Sequence, residues 1–247
     1  MIEDFFSYTD DGFNIEGVTS SNEKFRYVIT GSKFEISQQF GDDYTEVMKV
    51  NPVSSLYVES GGQLTPAGTS SETGEYDDLG YPMLRNFDYA TSVSMGFFFP
   101  TEHLYGIPGR EFDFDLKTTE ESGPYRLFNR DLDPHWPRNR TELYGSIPYV
   151  TGHSPKSDSS IAWLNSADTW VEVLSKEIDG VKGSYVDFLS EGGMLEFVMF
   201  GSTKGPAVVQ KNLAKTTGFL NLPPINTLGF QFSKWAPVSA DMITERS

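Results

Sequence analysis

A chain of 247 residues is long enough to bury a substantial core, either as one large domain or as two smaller ones. Its 19 basic and 35 acidic side chains leave a formal charge of −16, a surface that repels phosphate backbones and anionic membranes, so neither nucleic acid nor membrane is expected as a partner. The absence of cysteine excludes disulfides and thiolate metal sites, and 23 Gly with 14 Pro point to short strands and many turns.

The first eight residues, Met1 to Tyr8, have neither a basic segment nor a long apolar run, so no secretory signal is read there; the chain is cytosolic or its signal lies upstream. No apolar stretch approaches the roughly 20 residues of a bilayer span. Phe25–Thr30 and Lys33–Ser37 flank Gly31-Ser32, which predicts a hairpin. Tyr44–Val50 and Val53–Val58, divided by Asn51-Pro52, predict a second antiparallel pair. Residues 59–88 change character: Gly61, Gly62, Gly68, Gly74 and Gly80 stand among Ser, Thr, Pro and acidic residues, the pattern of a flexible insertion.

Strand patterns resume at Thr91–Phe99 and in the strict alternation of Phe112–Leu116. Gly183–Leu189 and Met194–Phe200 read as a further hairpin joined by Ser190-Glu-Gly-Gly193. One helix is predicted from Pro206 to a stop at Gly218, with Pro in the first turn and Gly just past the end. After the stiff Leu222-Pro-Pro-Ile225, Leu228–Phe232 reads as a buried strand, and Ser239 is placed to cap a short helix. A mainly β sandwich over 1–222 followed by the opening of a β/α unit over 223–247 is the resulting expectation. Such a unit needs neighbours, because a parallel strand cannot stand alone.

Several residue types are assigned ordinary structural work. His103, His135 and His153 lack metal-ligand spacing, and no metal or cofactor is expected. Asp113 and Asp115 read as the polar side of a strand, Trp163 and Trp170 as sandwich core, and Gly106 and Gly109 as a turn around Pro108. Asn139-Arg140-Thr141 is a sequon, so Asn139 is a glycosylation candidate if the chain enters a secretory lumen.

Six words occur in order: His103-Leu-Tyr-Gly-Ile-Pro108, Pro124-Tyr-Arg-Leu-Phe-Asn-Arg-Asp131, Leu143-Tyr-Gly-Ser-Ile-Pro148, Ala162-Trp-Leu-Asn-Ser-Ala167, Thr169-Trp-Val171, and Leu222-Pro-Pro through Trp235. In these words the chain resembles the α-glucosidases of glycoside hydrolase family 31, and within them the enzymes that trim glucose from N-glycans in the endoplasmic reticulum. The resemblance implies a galactose-mutarotase-like β-sandwich followed by the first strand and a truncated helix of a catalytic (β/α)8 barrel. It also implies a retaining mechanism, in which one barrel Asp attacks the anomeric carbon and a second, roughly 5–5.5 Å away, protonates the leaving oxygen. Both of those residues are expected beyond Ser247, so no catalytic residue is assigned to this chain. The implied partners are the remaining catalytic-barrel polypeptide, a separate regulatory β subunit and a glucosylated glycan, in the lumen of the endoplasmic reticulum.

By the same resemblance, two residues contact substrate. Asp131 closes the Asn-Arg-Asp word on a loop over the barrel mouth, where its carboxylate would accept hydrogen bonds from sugar hydroxyls; it also reads as a turn cap before Asp133-Pro134, or a partner of Arg130 or Arg126. Trp235 stands at the carboxyl end of the first barrel strand, where an indole packs against sugar C–H groups, or alternatively fills the barrel rim. A maltase or α-xylosidase of the same family, and a non-catalytic carbohydrate-binding or assembly sandwich, are the competing expectations.

Overall fold

The computed structural model describes residues 6–58, 92–110, 113–130, 143–164, 168–191 and 195–231. Backbone packing divides the chain into two units, Met1–Leu213 and Ala214–Ser247. Within the first unit the described strands form two antiparallel sheets.

The larger sheet opens with β1 (Phe6–Thr9), β2 (Gly12–Val18), β3 (Lys24–Thr30), β4 (Glu35–Phe40) and β5 (Thr45–Val50), each paired with the next. The predicted first hairpin is therefore present as β3 and β4. Asp11 secures its turn, accepting from the backbone N–H and the hydroxyl of Ser32.

The second predicted pair is different. The short β6 (Tyr57–Val58) pairs not with β5 but with β7 (Val93–Phe99), at Ser94 and Val93. Asn51 explains the diversion: at φ +55° its side-chain amide donates to the carbonyls of Lys33 and Phe34, while its oxygen accepts from Leu56 N–H at 2.9 Å. The side chain thus takes up polar groups that a tight hairpin would have paired.

The sheet continues from β7 through β13 (Val181–Ser190) and β12 (Thr169–Ile178) to β9 (Tyr125–Leu127) at its far edge. The smaller sheet runs β14 (Glu196–Ser202), β11 (Asp158–Leu164), β10 (Tyr149–His153), β8 (Leu104–Gly106). Consecutive β13 and β14 are thus not a hairpin but a crossing between sheets. Both edges of β13 are already taken by β12 and β7, so the chain leaves after Ser190 and β14 pairs with β11. Residues 113–116, the described part of the strand expected over Phe112–Leu116, form none: Phe114 is 88% exposed and lies against the Tyr105 ring, while Leu116 turns inward.

The core lies between the sheets. Phe97 of β7 meets Trp163 of β11, Phe188 of β13 and Phe197 of β14, with ring centroids 6.3, 5.8 and 5.2 Å apart, all edge to face. Trp163 stacks on Phe188 at 7° and donates from Nε1 to Ser190 Oγ at 2.8 Å, so its one polar group is paired where it is buried. Trp170, expected in the same core, projects from the opposite face of β12; its neighbour Val171 takes the inward position.

Residues alternate the same way at the other end. Phe6, Tyr8, Phe13, Ile15, Tyr27 and Ile29 share the core side of β1–β3 by register, yet Phe6 is 55% and Tyr8 84% exposed.

The predicted helix is α1 (Pro206–Thr217), ending at Gly218 with φ +91°. In the second unit, residues 218–231 carry a single 3-10 turn at Ile225–Thr227.

Candidate functional site

Three residues assigned to sugar contact or modification, Asp131, Trp235 and Asn139, lie outside the described residues, as does His135. The described chain does define the frame from which Asp131 departs. Strand β9 carries the first half of its word, pairing Tyr125–Leu127 with Val171–Thr169 of β12. Past β9 the next word returns alongside: Arg130 N–H donates to the Leu143 carbonyl at 3.0 Å. Asn129, at φ +48°, donates from Nδ2 to the Tyr144 carbonyl at 2.6 Å, and Ser146 Oγ donates to the Leu127 carbonyl at 2.9 Å. Asn is a residue type that tolerates this left-handed backbone. Residues 130 and 143 are therefore tied together at the neck of the segment that contains Asp131.

A second layer supports that neck. Gly109, the residue after Leu104-Tyr-Gly-Ile-Pro108, crosses Gly145 of Leu143-Tyr-Gly-Ser-Ile-Pro148. A Cβ on Gly109, where φ is +90°, would stand 2.9 Å from the Gly145 Cα, so this crossing requires two residues without side chains. Ile107 N–H closes the layer by donating to the Tyr149 carbonyl at 2.8 Å.

The remaining histidines keep structural surroundings. His103 offers its carbonyl to His153 N–H, and His153 Nδ1 lies 2.5 Å from Asp158, a carboxylate 2% exposed. Among the described residues no three His, Cys, Asp or Glu side chains are grouped as metal ligands require.

The outer face of the large sheet holds an arrangement the sequence patterns did not single out. Trp170, Glu172, Asp187 and Leu189 line a cavity of about 340 Å3 together with Pro124. Phe128 meets Trp170 edge-on at 4.9 Å, and Trp170 Nε1 donates to Glu191 at 2.7 Å, which locks the indole plane. Burial, reinforced by the facing Glu172, pushes the Asp187 carboxyl up to about 6, although Lys176 pulls the other way. The alternations Trp170-Glu172-Leu174 and Tyr185-Asp187-Leu189 were visible, but which residue faces which depends on strand register.

Comparison with known proteins follows the same course. The family described as the glycosyl hydrolase 31 N-terminal galactose mutarotase-like domain matches residues 4–172. Neutral alpha-glucosidase AB of Sus scrofa is 38% identical over 163 residues, covering 59% of this chain and 17% of that protein. Glucosidase 2 subunit alpha of Saccharomyces cerevisiae is 34% identical over 148 residues, covering 58% and 15%. A crystal structure of glucosidase II alpha subunit bound to alpha3-Glc2 superimposes with a TM-score of 0.62 at 25% identity, over 79% of this chain and 22% of that one. An ER glucosidase II heterodimer, of catalytic subunit and the binding domain of a regulatory subunit, gives a TM-score of 0.60 at 26% identity, again over 79% and 22%. The chain thus spans under a fifth of the length of these two curated relatives. With its antiparallel double sheet and most of its length matched, the chain belongs to the glycosyl hydrolase 31 N-terminal galactose mutarotase-like domain family.

Proposed function

We propose that this chain is the amino-terminal part of a retaining exo-α-glucosidase of the glucosidase II type, which removes α-linked glucose from N-glycans in the endoplasmic-reticulum lumen. The sandwich serves as scaffold and supplies one wall of the sugar pocket, while the nucleophilic and acid carboxylates belong to a barrel that begins around residue 223. The observation that carries the reading is the tied neck at Arg130 and Leu143. Asp131, next in sequence after this neck, is the carboxylate proposed to accept from the sugar hydroxyls. The relatives named above, alpha-glucosidases in each case, favour this reading over an inert module. A regulatory subunit is part of the proposal because the heterodimer above contains one.

In the full-length enzyme, Asp131→Ala is expected to lower kcat/KM for an α-glucosyl substrate by roughly 10–150-fold, the equivalent of one charged hydrogen bond. Trp235→Ala is expected to act in the same direction by removing an apolar wall of the pocket. Wild-type kinetics in a correctly folded Asp131→Ala enzyme would return Asp131 to turn structure. Hydrolysis of α-xylosides in preference to α-glucosides would move the enzyme to another branch of the family.

A further inference from the structure

Strands β12 and β13 set two carboxylates against each other on the outer face of the large sheet. Their register places Glu172 directly opposite Asp187, between the pairs Trp170–Leu189 and Leu174–Tyr185. Side chains in such positions start from Cβ atoms roughly 4.5–5.5 Å apart, and like charges there repel. Asp187 Oδ1 is shielded from solvent and has no hydrogen-bond partner among the described residues. A buried acceptor left in this state costs stability unless something arrives to satisfy it.

The cavity above these groups shows what fits. At about 340 Å3 it lies near the small end of the roughly 300–1,000 Å3 range of ligand pockets, enough for one compact group. Its walls are one indole, Pro124, Leu189 and the two carboxylates. A divalent metal would need several more oxygen ligands than two acids supply. A neutral sugar hydroxyl would satisfy Oδ1 but bring no charge to the facing acids, which Lys176 offsets in part. A guanidinium meets every feature: it is flat against an aromatic wall, carries a permanent positive charge, and presents paired N–H groups to carboxylates. The same face already uses this chemistry: the chain's own Arg126 lies over Trp170, the indole of the cavity, at 5.9 Å, and Lys176 lies over Tyr185 at 4.0 Å. Neither cation is among the residues that line the cavity.

We propose that the Trp170–Glu172–Asp187 cavity is a docking pocket for an arginine side chain presented by a second polypeptide. The charge of the whole chain, −16, favours the approach of a basic partner segment, and Glu172 and Asp187 give it a place to dock. The proposal is argued without the sugar pocket proposed above and stands or falls without it.

The test uses the full-length polypeptide that contains this domain, titrated by calorimetry with the capped peptide Gly-Arg-Gly and with its citrulline counterpart, which keeps the shape and lacks the charge. Binding of the arginine peptide, at least tenfold weaker in Asp187→Asn and in Glu172→Gln and weakened further by salt, is the expected result. Both substitutions keep side-chain volume and remove a repulsion; circular dichroism establishes that each variant folds, and either one alone decides the outcome. Equal binding of the citrulline peptide, indifference to both substitutions, or no binding of the arginine peptide overturns the proposal. Displacement of the arginine peptide by methyl α-glucoside would overturn it too, by making the cavity a sugar site. Unaltered α-glucosidase kinetics in these variants keeps this result distinct from the test of Asp131.

Discussion

Glu23 and Thr203, 180 positions apart, share one carboxylate oxygen: both the backbone N–H and the hydroxyl of Thr203 donate to Glu23 Oε1. The second oxygen accepts from Ser202 Oγ at 2.7 Å, and Glu23 is only 3% exposed. This one side chain fastens the β2–β3 connection to the end of β14. Glu23→Ala strands three donors at once and is expected to destabilise by about 3 kcal/mol in urea unfolding, with Glu23→Gln intermediate because its amide oxygen still accepts.

Gly109 offers a cleaner comparison. Gly109→Ala combines left-handed backbone with the 2.9 Å approach to Gly145, whereas Gly123→Ala, at φ +76°, meets nothing within 4 Å. The difference between the two variants isolates the crossing of the two Leu-Tyr-Gly words. Thermal unfolding should show Gly123→Ala losing about 1 kcal/mol and Gly109→Ala roughly 2–4 kcal/mol. The full-length enzyme should lose activity on Gly109→Ala as the neck shifts.

Much of this was legible in the residues themselves. Gly31-Ser32, Pro206 and Gly218 act through local backbone chemistry, and each marked a real turn or helix end. The prediction failed where long-range pairing overrides local pattern. Ser190-Glu-Gly-Gly193 has the composition of a hairpin turn, yet β13 was already flanked on both edges, and of the alternating Phe112–Leu116 the described residues form no strand, although Leu116 N–H donates to the Leu104 carbonyl of β8. Trp163 and Trp170 are alike in sequence, and only the phase of β12 sends one inward and the other out. The two words around Arg130 and Leu143 were visible, but that they pair was not, and the Glu172–Asp187 pair was hidden for the same reason: opposition across segments is a property of register.

Asp187 should make stability depend on pH. Its folded carboxyl is raised from 3.8 to about 6, so between those values the folded chain holds a proton that the unfolded chain has released. Stability therefore falls as pH rises through this window, by up to about 3 kcal/mol from this group. Asp187→Asn should flatten that part of the profile, measured by urea midpoints from pH 4 to 7.

Lys49 is 9% exposed and hydrogen-bonds Asp179, with Glu46 at 3.6 Å and Glu35 at 4.0 Å. Burial pulls its pKa down, but the hydrogen bond to Asp179 and the fields of Glu46 and Glu35 outweigh it, leaving it above the ordinary lysine value. Lys49→Met leaves those carboxylates facing one another without a cation. A loss of roughly 1–3 kcal/mol is expected at neutral pH. It should shrink on acidification, as Glu35, held above the usual carboxylate range chiefly by burial, takes up a proton. Denaturant titrations at pH 4 and pH 7 check the difference.

Among the described residues, strand β1 has β2 as its strand partner along one side and none along the other, and apolar side chains on the face it shares with β2 remain open to solvent at Phe6 and Tyr8. Such an edge is a template on which the strand of another copy can lay itself down. Handled on its own, this domain should aggregate with rising concentration, and Tyr8→Lys should restore a monodisperse species in analytical ultracentrifugation.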